Sequence, residues 1–347
     1  MMFRFFLNSA FVGGFLLLQS VAGSLVGQTS ELTEVAIRTA QGQADKKQSS
    51  PRVLYVTSLP GTYHDYVTQR EIFLETAEKA GWRVTVMIGD YKTLDSKGHP
   101  VKQPQKPVAR GKTPEAIQRY ERVMKEIRAQ KPLTERMKEK DFGKGYDAIV
   151  YNFCLAHVTD LEATANVIRQ TRENGVPAFL IHCSMHSFWS TFRYRDKQKV
   201  LMEQWQEKYP DREFPNWGKF TGVASTGHGP NYPITTTRLV DHPATRGVAG
   251  GYVTPPTELY NNHFVTEGTT PLLLGRQSYE RKLKDGTTKK IETESVIMWV
   301  SRQGKSRVMG LTIGHGDADL RSKGFQSLLI DGVNWMVESG PLEGKSK

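Results

Sequence analysis

The chain reads as an α/β protein in which a mostly parallel sheet is covered by helices on both faces. Three observations predict it. Short apolar runs without polar alternation recur along the chain, as strands buried on both faces require. Segments with helically spaced apolar residues separate the early runs, which is the rhythm of βαβ units. The composition permits a large core, with 38% hydrophobic and 10% aromatic residues in 347 positions. At roughly 150 residues per domain, that length allows two domains or one large domain carrying an insertion. Thirty-one glycines without a collagen period, and two cysteines, Cys154 and Cys183, exclude a collagen, a disulfide scaffold and a four-cysteine zinc module.

The elements follow in order. Residues 1–4 form a short positive segment, 10–18 an apolar one, and Ser20-Val-Ala22 places small residues at −3 and −1 of a cut after Ala22. The apolar run is short for a membrane span of ~20 residues. We therefore expect a signal peptide over 1–22, an exported protein (periplasmic or extracytoplasmic) and no membrane contact once it is removed. Residues 23–51 are polar and aperiodic, the pattern of a disordered linker. The folded part begins at 52–58, a buried strand, followed by a helix from Tyr66 to a stop at Gly81 and a strand over 83–89.

Residues 92–144 interrupt the rhythm. They hold fifteen Lys or Arg against seven Asp or Glu, so +8 of the net +11 lies in this segment. Residues 115–130 have amphipathic helical spacing, with Ile117, Tyr120, Val123, Met124 and Ile127 on one side. The segment reads as a basic helical insertion with a solvated face. A nucleic-acid arm is the competing reading. It is disfavoured because no aromatic interleaving, RNP motif or zinc spacing accompanies the charge.

The βα rhythm resumes with a strand over 146–154, a helix over 161–175 and a strand over 177–181. A helix-like aromatic stretch covers 187–209. Strands are then expected at 235–240, 271–275, 294–300 and 307–313, and a last helix at 322–338. Several of these strands lack intervening helices, which predicts an antiparallel edge. The domain would end near 340, leaving 341–347 as a tail.

Ligands of open α/β sheets bind beyond the carboxyl ends of the strands. Those ends carry Tyr63, His64, His182, Cys183, His186, His228, Glu258, Tyr260 and His315. Imidazoles near neutrality suit proton transfer or metal ligation, and a glutamate beside aromatics suits general acid or base chemistry. Tyr63, Trp189 and Tyr260 offer aromatic stacking faces. His182 and His186 are four apart, a spacing compatible with two ligands of a divalent metal such as zinc, with His64, His228, His315 or Glu258 completing the set. No His-Glu-x-x-His signature accompanies them. Nor does a Gly-x-Gly-x-x-Gly follow the first strand, which disfavours a nucleotide cofactor. Cys183 has three readings: a thiolate nucleophile, a metal ligand, or a small buried hydrophobe at a crowded turn. A disulfide with Cys154 is a further option.

Ordered segments carry a family resemblance: Ala178-Phe-Leu-Ile-His-Cys-Ser184 with His186, Ser187 and Phe188; Gly227-His-Gly229; Asp241-His-Pro-Ala-Thr-Arg-Gly247; Thr257-Glu-Leu-Tyr260; and Arg307-Val-Met-Gly-Leu-Thr-Ile-Gly-His315 with Asn334-Trp335. Together, over 52–340, they resemble the trehalose-utilisation (ThuA-like) family within the class I glutamine amidotransferase-like fold. The resemblance implies a three-layer, flavodoxin-like sheet. It also implies a role in carbohydrate metabolism, with a disaccharide or keto-sugar as small-molecule partner. Amidotransferases place their cysteine in a Gly-x-Cys-x-Gly elbow. Here the elbow is Ile181-His-Cys-Ser-Met185, and His182 stands at the nucleophile's place. Glutamine hydrolysis is thus disfavoured. His315 resembles the triad histidine, with Asp317 near the place of its acid. The expected catalytic groups are His182, Glu258 and His315, in a sugar lyase, hydratase or hydrolase. The alternatives are a non-catalytic carbohydrate-binding protein and a Cys183-dependent amidohydrolase. Oligomeric state has no signal in the sequence.

Overall fold

The computed structural model describes residues 50–59, 63–89 and 113–342. The expected signal segment, most of the linker, part of the basic segment (90–112) and the tail from 343 lie outside the described residues. β1 (Arg52–Ser58) leads to α1 (Tyr66–Lys79), and β2 (Arg83–Gly89) returns parallel to β1. α2 (Pro114–Arg128) and α3 (Leu133–Lys138) precede β3 (Ala148–Asn152), and α4 (Leu161–Arg172) precedes β4 (Ala178–Ile181). After α5 (Arg195–Lys208) and α6 (Trp217–Thr221) come the short strands β5 (Val223–Ala224), β6 (His228–Tyr232), β7 (Thr235–Arg238), β8 (Tyr252–Val253), β9 (Thr257–Tyr260) and β10 (Phe264–Val265). The long hairpin β11 (Thr269–Lys282) and β12 (Thr288–Gln303), then β13 (Ser306–Leu311), α7 (Asp317–Arg321) and α8 (Lys323–Glu338) complete the chain.

Nine strands form one mixed sheet in the order β2-β1-β3-β4-β13-β12-β11-β7-β8. The first five are parallel, and the pairings from β13 onward to β8 are antiparallel. Alternate residues of the parallel strands enter two different cores. Val53, Tyr55, Val150, Phe179 and Leu311 pack with Ile72 and Phe73 of α1 and Phe325 and Leu328 of α8. Leu54, Val56, Ile149, Tyr151 and Leu180 pack with Met137 of α3, Val167 of α4 and Phe220 of α6. Full burial of such a side chain is worth about 1.5–3 kcal/mol. A strand shifted by one residue would exchange its two faces, so the two cores fix register.

The described part of the basic segment is the crossover from β2 to β3. α3 buries Leu133 and Met137, and α2 buries Val123 and Ile127 against Leu59, Ile88, Cys154 and Cys183. Ile117, expected on the packed side of α2, is instead 46% exposed. Three of the cations form ion pairs: Arg119 with Glu71, Lys131 with Glu139, and Lys138 with Glu135 and Asp160. The outer part of the β11–β12 hairpin is a further departure from expectation. Strands were expected only at 271–275 and 294–300, yet pairing continues from Gly275↔Ser295 to Lys282↔Thr288. These outer residues are mostly exposed, so no apolar pattern marks them.

Candidate active site

Three turns at the carboxyl ends of parallel strands build the centre. Beyond β1, Asp65 caps α1 by accepting from the Thr68 N–H at 3.0 Å. The cap leaves His64 just outside the helix, buried against the sheet edge. Beyond β4, the chain turns sharply at His182, whose φ is +44°. A non-glycine residue in this region costs about 1–3 kcal/mol and persists where its surroundings hold it. They do so here: Ser184 Oγ donates to Tyr151 O at 2.7 Å, and Ser187 Oγ accepts from Leu155 N at 2.9 Å. Beyond β13, Gly314 has φ +115°, and a Cβ there would sit 2.9 Å from Phe325. The following His315 is held by its backbone. Asp319 Oδ2 accepts from Gly314 N at 2.5 Å and from His315 N at 3.2 Å, while Gln69 Nε2 donates to His315 O at 3.2 Å.

The remaining groups come from a separate two-stranded ladder, β6 with β9, in which His228 faces Tyr260 and Asn231 faces Glu258. Glu258 and Tyr260 are two apart on a strand and so share one side of it. Glu258 is the hub. Its oxygens lie 3.5 Å from His182 Nε2, 3.3 Å from His228 Nδ1 and 3.4 Å from His315 Nδ1. Tyr260 Oη is 3.1 Å from His182 Nε2 and 3.3 Å from Cys183 Sγ, and His64 Nε2 is 3.0 Å from that sulfur. The rings of His64 and His182, and of His64 and His315, meet edge-on with centroids 4.9 Å apart. One ligand atom each from His64, His182 and His315 lies within 4.8 Å of the others.

The protonation pattern follows from these contacts. His182 Nδ1 lies 2.6 Å from Thr312 O, and since a carbonyl only accepts, Nδ1 carries the hydrogen. Nε2 is then a lone-pair donor aimed at the cluster. Burial lowers the His182 pKa despite the nearby carboxylate, so the ring is neutral near pH 7. Burial alone would raise the Glu258 pKa. The contacts to His182 and His315 outweigh it and hold the carboxyl below its ordinary range, ionised. The neighbouring Cys154 and burial push the Cys183 thiol well up, so it is protonated and no ready nucleophile. Both cysteines are free thiols.

A family model described as "ThuA: Trehalose utilisation" matches residues 109–336, about two thirds of the chain. The chain belongs to the ThuA family. That places it with proteins of carbohydrate metabolism. Among solved structures it is similar to a ThuA-like protein from Parabacteroides merdae, solved at 1.75 Å. That likeness has a TM-score of 0.52 and 12% identity, over 86% of this chain and 94% of that one, and it bears on the fold. A search among curated proteins returns no match.

Of the residues singled out from sequence, this ThuA-family chain brings together His64, His182, Cys183, His228, Glu258, Tyr260 and His315. His186 borders the group: its ring stacks on Tyr260 at 3.9 Å, and its Nε2 meets Ser225 Oγ at 2.8 Å. It does not share a helix face with His182, because residues 182–184 form a single 3-10 turn. Tyr63 is 49% exposed, and its hydroxyl meets His157 at 3.3 Å. Asp317, near the expected place of a triad acid, is exposed, and the carboxylate beside the His315 ring is Glu258. Sequence reasoning missed the supporting groups Asp319, Gln69, Thr312 and Asn231, whose Nδ2 is 3.3 Å from His315 Nε2. Their only available signal was polarity inside otherwise apolar or turn-forming segments.

Proposed function

We propose that this ThuA-family protein is an exported enzyme that moves a proton on a disaccharide or keto-sugar, as a lyase, hydratase or hydrolase. One observation carries the reading: three segments distant in sequence deliver imidazoles to one ionised, largely buried carboxylate, and Tyr260 on the carboxylate's own strand meets the His182 ring. Glu258 is the base. His315 is its proton-exchange partner, and neutral His182 with Tyr260 orients the carbonyl or glycosidic oxygen. Positioned proton transfer of this kind contributes about 10²–10⁴-fold. Burial excludes bulk water around His182 while His228 and His315 remain partly open to an entering ligand.

Three further parts of the proposal rest on separate support. The order of the parallel strands, with β13 as the fifth, matches the 2-1-3-4-5 order of flavodoxin-like sheets, and helices pack on both faces. Export rests on the amino-terminal pattern of 1–22, and among the described residues no helix is long and apolar enough to cross a membrane. The small-sugar partner rests on the family membership; in the basic segment Arg119, Lys131 and Lys138 are held in ion pairs. The protonated Cys183 speaks against an amidohydrolase.

The test is turnover of a panel of glycosides and 3-keto-glycosides by the purified chain and by Glu258→Gln. The amide keeps the shape and removes the base, so kcat/KM should fall by about 10²–10⁴-fold on the best substrate. Saturable sugar binding with no product from any panel member would replace this reading with a carbohydrate-binding protein.

A further inference from the structure

The contact between His182 and Glu258 is electrostatically incomplete. His182 Nε2 has no hydrogen, because Nδ1 gives its own to Thr312 O at 2.6 Å. This lone pair has the Tyr260 hydroxyl at 3.1 Å as one partner, yet it also lies 3.5 Å from a Glu258 oxygen. Two electron-rich atoms face each other across a site where burial weakens solvent screening. His315 Nδ1, 3.4 Å from the same carboxylate, is also buried and makes no hydrogen bond. A cation between these groups resolves both contacts at once. His64 supplies a third nitrogen within 4.8 Å of the other two.

We infer that His64, His182 and His315 form a three-histidine binding site for a divalent transition metal of the zinc class, with Glu258 beside it. The donor chemistry suits the assignment, since imidazole favours zinc and its neighbours over magnesium or calcium. The outer shell is that of a metal site. Ligating histidines almost always give their second N–H to a carbonyl or carboxylate, as His182 does. The His315 backbone is clamped by Asp319 and Gln69. Tetrahedral zinc with bonds of about 2.0–2.1 Å needs nitrogens about 3.4 Å apart. The three rings follow β1, β4 and β13, whose carboxyl ends lie on one edge of the sheet, and the closing needed is about 1 Å. A metal there would act as a Lewis acid on a sugar oxygen, with Glu258 left to handle the proton. The inference rests on the reading above for the place of the site, but not for the substrate.

The experiment measures metal without substrate. The full chain is stripped with a chelator, dialysed, and titrated with zinc by calorimetry and with cobalt by visible absorption. About one equivalent should bind, with the intense visible bands of tetrahedral cobalt. Losing an outer-shell partner alone costs roughly 10–100-fold in affinity, so His64→Ala and His315→Ala should each weaken binding by at least ~100-fold. His157→Ala, whose ring pairs with Tyr63, should leave affinity unchanged. Thermal melts identify any variant that fails to fold, and the more exposed His315 position then decides. Absence of saturable binding by the folded chain would overturn the inference. So would affinity that survives both ligand substitutions. Sugar turnover by a chain that binds no metal would sink this inference and keep the proposed function. One bound metal without turnover of any sugar would do the reverse.

Discussion

Asp319 offers a direct test of how the site is held, because it needs no substrate. Its side chain is 1% exposed, and one oxygen accepts from two backbone N–H groups, those of Gly314 and His315. Burial raises its pKa, so the fold tolerates this carboxyl for what it binds. Asp319→Ala removes both bonds. Leaving a buried donor unpaired costs about 1–3 kcal/mol. Gly314 is fully buried and takes the whole cost, while His315 is partly exposed and water can replace some of its loss. The sum is about 2–4 kcal/mol. At roughly 2–4 °C per kcal/mol for a chain of this size, the melting temperature should fall by about 4–16 °C. Asp319→Asn keeps an acceptor oxygen in place and should recover most of that loss. Tryptophan fluorescence during thermal unfolding reads both variants, since the chain has six tryptophans. An alanine variant that melts within about 1 °C of wild type would refute the clamp. An asparagine variant as unstable as alanine would show that charge, not hydrogen bonding, is what the loop requires.

Other consequences can be checked alongside. Cys183→Ser should keep most activity, because the thiol is protonated and a hydroxyl can still meet His64 and Tyr260. His182→Ala should lose at least ~100-fold under the same assay, and a folded but inactive serine variant would restore the amidohydrolase reading. Tyr252 bonds Ser322 at 2.6 Å, and burial pushes its pKa up to about 12. A raised folded pKa gives stability that is complete below the unfolded value of about 10 and lost as pH rises through about 12. Tyr252→Phe should therefore narrow its stability gap to wild type between those pH values in urea titrations. A gap that stays constant would contradict the assignment.

The parts of the fold legible in the sequence were those with a local signature. β1, β2, β4 and α1 announce themselves because strands buried on both faces and amphipathic helices leave periodic apolar residues. The turns that follow them placed His64, His182 and His315 at strand ends, and the sheet then brought those ends together. The β6–β9 ladder left no such trace. Only Leu259 and Tyr260 are buried apolar residues in β9, and prolines before it suggest a turn. Glu258 was therefore recognisable as a residue of interest, while its register opposite Asn231 was not.

The supporting polar groups were hidden for a different physical reason. Asp319 sits in a five-residue helix where an aspartate usually reads as an N-terminal charge, and Gln69 sits on α1 where a polar residue reads as solvent-facing. Asp319 is buried because it turns back onto the Gly314 and His315 N–H groups just before it, and Gln69 because it meets a carbonyl 246 residues away, a contact that no local pattern records. Buried polar side chains are costly unless satisfied, so a residue such as Gln69 signals the site only after the fold is known. Its amide oxygen accepts from Asn152, and its nitrogen donates to His315 O. Asn152 closes the chain of contacts on β3 by also donating to Tyr55 Oη at 2.9 Å. A polar line thus runs beneath the clustered imidazoles from β1 through β3 to the loop after β13. Substitutions at Gln69 or Asn152 should accordingly register in the position of His315, although neither residue touches the Glu258 carboxylate.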